Sequence, residues 1–246
     1  MPESVVVNEV YLSLQGESTF AGLPCVFIRL TGCNLRCSYC DTAYAFTEGH
    51  RDSLDSLLDR VDQLAAPYQA APPIAGHRLP LVELTGGEPL LQPAARPLMT
   101  RLCDRGYTVL IETSGAHDIG AIDPRVRRIV DLKCPSSGEM ARNRWENIPL
   151  LRATDEVKFV VGSHEDYAWV REVISRHRLA ESCPLLISWV HPLAPAQRDP
   201  VLKPVPPGQT PISRQELVEA IVADAVPARF QAQLHKIIWP PEQRGV

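Results

Sequence analysis

The chain has 246 residues, 25 Lys and Arg against 29 Asp and Glu for a formal net charge of −4, with 45% apolar and 22% charged residues. This is an ordinary globular composition, large enough for one sizeable core, and it lacks the basic stripe of a nucleic-acid binder. The longest apolar runs, such as 185–190, are far too short to span a bilayer, and Met1-Pro2-Glu3-Ser4 lacks the basic and apolar regions of a signal peptide, so no membrane partner and a cytoplasmic location are expected.

In chain order, residues 5–12 read as an extended, β-branched segment and 25–30 as a buried strand. Leu54, Leu57, Leu58, Val61 and Leu64 recur at helical spacing and predict a helix over 52–64. A strand at 81–84 ends in Gly-Gly, followed by a helix at 93–105, strands at 107–111 and 128–132, and a weakly patterned helix near 138–147. Then come a strand at 156–161, a helix at 165–178 and a strand at 184–190. Ser213 with Glu216 three residues on forms a capping box that opens a helix over 213–224, and a last strand covers 229–234.

Strands alternating with helices predict an α/β fold with a parallel sheet, in one domain over 1–246. Six βα units from 25 to about 224 are too few for a closed eight-stranded barrel. A partial (β/α)6-type barrel with an N-terminal extended segment fits best, with a doubly wound sheet as the alternative. Residues 184–211 carry eight prolines and form a loop, because proline fixes φ and removes a backbone donor. This loop is expected beside the site mouth or at a dimer contact. Residues 225–246 supply the C-terminal strand and tail.

The chemistry centres on Cys33, Cys37 and Cys40, in a C-x3-C-x2-C run with Tyr39 before the last thiol, directly after the 25–30 strand. Seven cysteines in a chain of this size do not suggest a disulfide scaffold, and Cys25, Cys103, Cys134 and Cys183 read as buried apolar residues. Soft thiolates select Fe–S clusters, zinc or copper. Three thiolates on a four-iron cubane leave one iron open to an external ligand. The alternatives are a structural zinc site completed by a distant fourth ligand, or three unrelated core cysteines.

The run resembles the signature of the radical S-adenosylmethionine (SAM) superfamily. Leu84-Thr85-Gly86-Gly87-Glu88-Pro89, one βα unit later, is similar to that superfamily's GGE motif. The resemblance implies a [4Fe–4S] cluster whose open iron is chelated by SAM, reductive cleavage of SAM to a 5′-deoxyadenosyl radical, and a reducing partner such as a flavodoxin or ferredoxin. It implies SAM contacts from Tyr39, Cys40, Asp41, Gly87, Glu88, Ser114, Lys133, Lys158, Phe159, Val160 and Val161, at strand ends that would share one polar mouth.

Leu14-Gln15-Gly16-Glu17, Gly22, Pro24, Phe27, Arg29, Cys40-Asp41-Thr42 and Gln233-Leu234-His235-Lys236 resemble the 7-carboxy-7-deazaguanine synthase family, from about Val7 to Pro241. That resemblance implies a homodimer that converts 6-carboxytetrahydropterin to 7-carboxy-7-deazaguanine, with loss of ammonia and regeneration of SAM. It implies substrate contacts from Leu14, Gln15, Gly16, Glu17, Arg29, Thr85, His235 and Pro241, and a Mg²⁺ ligand in Thr42. A guanidinium fork at Arg29 suits a carboxylate, and the bland alternative is a salt bridge with Glu17. The competing functions are a glycyl-radical-enzyme activase and a non-catalytic zinc-binding module.

Overall fold

The computed structural model describes residues 3–246. Its frame is a nine-stranded sheet in the order β3-β1-β2-β4-β5-β6-β7-β8-β9. The strands are β1 (Ser4–Leu14), β2 (Pro24–Leu30), β3 (His50–Ser53), β4 (Leu81–Gly86), β5 (Val109–Thr113), β6 (Arg127–Asp131), β7 (Glu156–Val161), β8 (Leu185–Trp189) and β9 (Arg229–Gln231). All pairings from β2 through β9 are parallel, whereas β1 runs antiparallel to β2 and β3 antiparallel to β1. β4 lies beside β2, and from β5 onward each strand lies beside its predecessor in the chain, so the parallel strands wind in one direction, no switch point exists and the doubly wound alternative falls. With β3 at one edge and β9 at the other, the sheet curves without closing.

Alternation along each strand separates two apolar layers. Val26, Ile28, Leu30, Val82, Leu84, Val109, Ile111, Val157, Phe159 and Val161 face the outer core, beneath α1 (Leu54–Ala65), α2 (Ala95–Asp104), α3 (His164–His177) and α4 (Arg214–Ala223). The intervening residues Cys25, Phe27, Leu81, Leu110 and Ile129 point to the concave side, where Phe20 and Leu79 complete a smaller inner cluster. Nearer the carboxyl ends the same rows turn polar at Arg29, Glu83, Thr85, Glu112, Asp131 and Lys158.

Helix starts follow the side-chain chemistry. Ser53, Ser163 and Ser213 cap α1, α3 and α4 by accepting hydrogen bonds from backbone N–H groups, and Glu216 closes the capping box on Ser213. The helix expected near 138–147 is replaced by two 3₁₀ turns, Met140–Arg142 and Trp145–Leu150, the second containing Pro149. A proline there removes a donor and prevents α-helical continuation. The last strand stops at Gln231 rather than 234, and the chain turns into a short helix, α5 (His235–Ile238). The proline-rich loop expected over 184–211 is shorter: 185–189 form β8, and the irregular stretch begins after Trp189, with one 3₁₀ turn at Pro195–Gln197. Among the described residues, no helix is long and apolar enough to cross a membrane.

Candidate active site

The loop after β2 is pinned from both sides. Glu88 N–H donates to Gly32 O at 2.8 Å and Gly87 N–H to Leu30 O at 3.2 Å, which ties the loop to the turn after β4. Ser38 N–H donates to Ser137 O at 3.0 Å, its hydroxyl to Ser136 O at 2.7 Å, and Arg36 N–H to Glu139 Oε1 at 2.7 Å, which ties it to the segment after β6. A Cβ on Gly87 would lie 2.1 Å from Gly32 O and 2.9 Å from Cys33 Cβ, and one on Gly86 would lie 2.2 Å from Leu30 O. Only glycine allows the two turns to meet this closely.

Cys33, Cys37 and Cys40 are free thiols lining one cavity of about 660 Å³, a size suited to small-molecule ligands. Burial pushes the Cys37 thiol up to about 12 and Cys40 up to about 11, with Lys133 opposing in both cases. Three soft donors on a loop held by backbone bonds, all bordering one cavity, fit an iron–sulfur cube with one open corner. Cys25, Cys103, Cys134 and Cys183 are buried away from this cavity.

Facing the thiols, Lys133 Nζ pairs with Asp131 Oδ2 at 2.7 Å, while Asp131 Oδ1 is buried with no protein partner. Such an orphaned acceptor suits a hydroxyl or ammonium of a bound ligand. Tyr39 and Val160 also line this end. Phe159 and Val161 do not: both are fully buried in the outer layer, with Phe159 edge-on to Trp169, so only their backbone is left for a ligand. Period-two alternation allows Lys158 and Val160 to face inward and excludes their neighbours.

Glu88 is a second departure. Its carboxylate is 0% exposed, turned away from the cavity, and accepts from Leu90 N–H, the Thr113 hydroxyl, and the N–H and hydroxyl of Ser114. In this structure its side chain orders the β4 and β5 strand ends and does not line the cavity. Gly87 and Ser114 line the cavity.

The opposite wall gathers the expected substrate residues. Leu14, Gln15, Gly16, Glu17, Arg29, Thr85, His235 and Pro241 all border the cavity, as does Thr42. Thr42 precedes a 3₁₀ turn without capping it, and its hydroxyl makes only long contacts, to Asp41 Oδ1 at 3.5 Å and Cys40 Sγ at 3.8 Å, which an oxygen-seeking cation could replace. Arg29 pairs with Glu9 at 2.7 Å and donates to Tyr11 Oη at 2.9 Å. The Glu17 alternative therefore fails: Glu17 instead accepts from Lys158 at 3.0 Å and from Gln233 at 2.9 Å. The C-terminal segment packs onto this wall, with Leu234 N–H donating to Gly16 O at 2.9 Å. Burial pushes the His235 imidazole below its ordinary value, which favours the neutral ring.

Several lining residues carried no role in the sequence reading. Glu83 and Glu112 project from β4 and β5, and the proline-rich loop brings Gln197, Arg198, Asp199 and Pro200 to the rim. Residues 242–246 also reach the rim, where Arg244 pairs with Glu48 at 2.7 Å and stacks on Tyr44 at 3.8 Å. The signal for Glu83 was available: one acid inside an otherwise apolar strand is costly to bury without a purpose.

A sequentially wound, open parallel sheet with three thiols at its carboxyl edge defines the class. The family model of the Radical SAM superfamily matches residues 27–178, and the chain belongs to that superfamily. A 7-carboxy-7-deazaguanine synthase of Koribacter versatilis is 40% identical over 98% of this chain and 99% of its own length. One of Chlorobaculum tepidum is 39% identical over 98% of this chain and 96% of its own. The chain therefore belongs to the 7-carboxy-7-deazaguanine synthase family, whose radical SAM chemistry uses a [4Fe–4S] cluster and SAM. The crystal structure of QueE from Escherichia coli shares the fold, with a TM-score of 0.67 and 21% identity over 94% of this chain and 95% of that one.

Proposed function

We propose that this chain rearranges 6-carboxy-5,6,7,8-tetrahydropterin to 7-carboxy-7-deazaguanine with release of ammonia, in 7-deazapurine and queuosine biosynthesis. The observation that carries the reading is one cavity with two unlike walls: three thiols on one side, with the Thr42 hydroxyl beside the Cys40 thiol, and an arginine and a half-buried histidine on the other. Loss of ammonia from this substrate is redox-neutral overall, so it needs no net oxidant and permits SAM to be recovered.

The cluster and SAM supply radical chemistry when bound; the chain supplies position and field. Arg29, fixed by Glu9 and Tyr11, offers its remaining N–H groups to the substrate carboxylate. Thr42 would hold Mg²⁺, which would offer positive charge to substrate oxygens. Neutral His235 hydrogen-bonds the reduced ring. Gln15 and the 14–17 backbone frame the pterin edge, and Thr85 the ring face. On the cofactor side, Asp131 and Lys133 take polar groups of SAM, and Tyr39 its adenine. A low-potential flavodoxin or ferredoxin as reductant, a homodimeric assembly and a cytoplasmic location complete the reading.

The test is an anaerobic assay of reconstituted protein with SAM, Mg²⁺ and 6-carboxytetrahydropterin. Expected are 7-carboxy-7-deazaguanine and ammonia in equal amounts over many turnovers, with SAM not consumed in proportion. Stoichiometric 5′-deoxyadenosine without the deazapurine would refute the assignment and point toward activase chemistry.

A further inference from the structure

The deep end of the cavity holds a carboxyl group that the proposed function has not used. Glu83 projects from β4 one pleat below Thr85 and is 2% exposed, yet it lines the cavity. Its in-register neighbours are Phe27 on β2 and Leu110 on β5, both members of the inner apolar cluster. Oε2 accepts from Gln15 Nε2, and Gln15 Oε1 in turn accepts from Glu17 N–H at 2.7 Å. Among the described residues, Oε1 of Glu83 has no hydrogen-bond partner in the protein.

The cations nearby are engaged elsewhere. Lys158 Nζ lies between Glu17 and Glu112 and bonds both. Arg29 is committed to Glu9 and Tyr11. Three carboxyl groups therefore face a single ammonium, and Glu83 is the one left without a cation. Burial between two apolar side chains raises its proton affinity well above the ordinary carboxylate range, and Glu112 and Glu17 add to this against Lys158 and Arg29. A carboxyl group so placed, with no cation of its own, favours its protonated form, and a protonated carboxyl is a hydrogen-bond donor.

We propose that Glu83 is a specificity-determining residue for the heterocycle: one carboxyl oxygen locks Gln15, and the other, as the O–H of an uncharged acid, donates to a ring acceptor of the bound substrate. The inference rests on the pterin reading and deepens it. An oxo- or imino-type acceptor on the heterocycle matches this donor. A ring presenting only N–H donors there leaves the proton of Glu83 without an acceptor in an apolar slot, a loss that discriminates strongly.

The test compares Glu83→Gln with Glu83→Leu in the reconstituted holoenzyme, reading KM and kcat for 6-carboxytetrahydropterin, with iron content as the check that each variant is loaded. An amide reproduces the uncharged acid: its oxygen accepts from Gln15 and its N–H₂ donates into the cavity. Glu83→Leu is expected to raise KM by about 10- to 100-fold, and Glu83→Gln to recover most of that loss. If Glu83→Gln is as damaged as Glu83→Leu, the group works as an anion and the inference is overturned. An unchanged KM in Glu83→Leu overturns it as well. Should Glu83→Leu fail to load iron, the Gln variant decides alone: a KM more than tenfold above wild type refutes the inference, and a smaller change supports it. A wild type that makes no deazapurine sinks both readings, whereas an active wild type with an indifferent Glu83 sinks only this one.

Discussion

Glu88 Oε2 accepts hydrogen bonds from both the backbone N–H and the hydroxyl of Ser114, at 2.7 and 2.6 Å. A single buried carboxylate thus joins the end of β5 to the turn after β4, and that turn grips the thiol loop through Gly32 O. Replacing Glu88 by Ala strands the N–H groups of Leu90 and Ser114 in a dry site, together with the hydroxyls of Thr113 and Ser114. The expected cost is about 3 kcal/mol or more, read as a lowered urea midpoint. A variant within about 1 kcal/mol of wild type would show these bonds to be dispensable.

Gly87→Ala probes the same junction from the other side. Its Cβ would stand 2.1 Å from Gly32 O and 2.6 Å from Gly32 C, both backbone atoms that cannot swing aside. The thiol loop must shift as a unit. We expect a folded protein with a normal far-ultraviolet circular dichroism spectrum that retains much less iron and sulfide after reconstitution than wild type. Full iron loading would mean that the loop tolerates displacement. Single Ala variants of Cys33, Cys37 and Cys40 should lose the cluster outright, whereas Cys103→Ala, in the outer core, should keep it.

How much of this was visible in the sequence differs by element. The strand alternations were legible because period-two rows of Val, Leu and Ile leave few other readings, and the thiol spacing announced itself. The roles of Glu88 and Phe159 were not legible. A motif places a residue at a strand end, but only the pleat and the partner set decide whether its side chain meets the cavity or the core. The ordinary alternative for Arg29, a salt bridge with Glu17, drew on a residue nearer in sequence than the one it meets. The true partner, Glu9, is its cross-strand neighbour on antiparallel β1, a pairing that needs the register. The proline-rich loop was expected beside the mouth, but that 197–200 are the residues reaching the rim, joined there by 242–246, follows from no periodic pattern and needed the folded chain.

Lys158 is the single ammonium serving Glu17 and Glu112, and its side chain is 6% exposed. Lys158→Met preserves volume and leaves two carboxylates facing each other without compensation. Breaking a buried pair in this way costs about 3–5 kcal/mol. The double variant Lys158→Met/Glu112→Gln should recover part of that loss, because one of the uncompensated charges is gone. Equal stabilities of the single and double variants in urea would argue that the pair is solvated in solution.

The acid limb of stability should carry the signatures of Glu17 and Asp41. Burial disfavours both charges, but Lys158 and His235 outweigh it at Glu17, bringing the carboxyl from 4.5 to about 2. At Asp41, the Lys236 ammonium 2.5 Å away does the same, from 3.8 to about 2. Folded values below unfolded ones mean that the unfolded chain takes up these protons first as pH falls. The stabilisation is therefore complete above 4.5 and is lost progressively as pH drops toward 2. Each group contributes at most about 2–3 kcal/mol by this linkage. Lys236→Met isolates the Asp41 share. That variant should be less stable than wild type at neutral pH, and the gap should close as pH falls below 3.8, measured by urea unfolding across that range. A gap that stays constant with pH would mean that Lys236 contributes through packing of its stem rather than through its charge on Asp41.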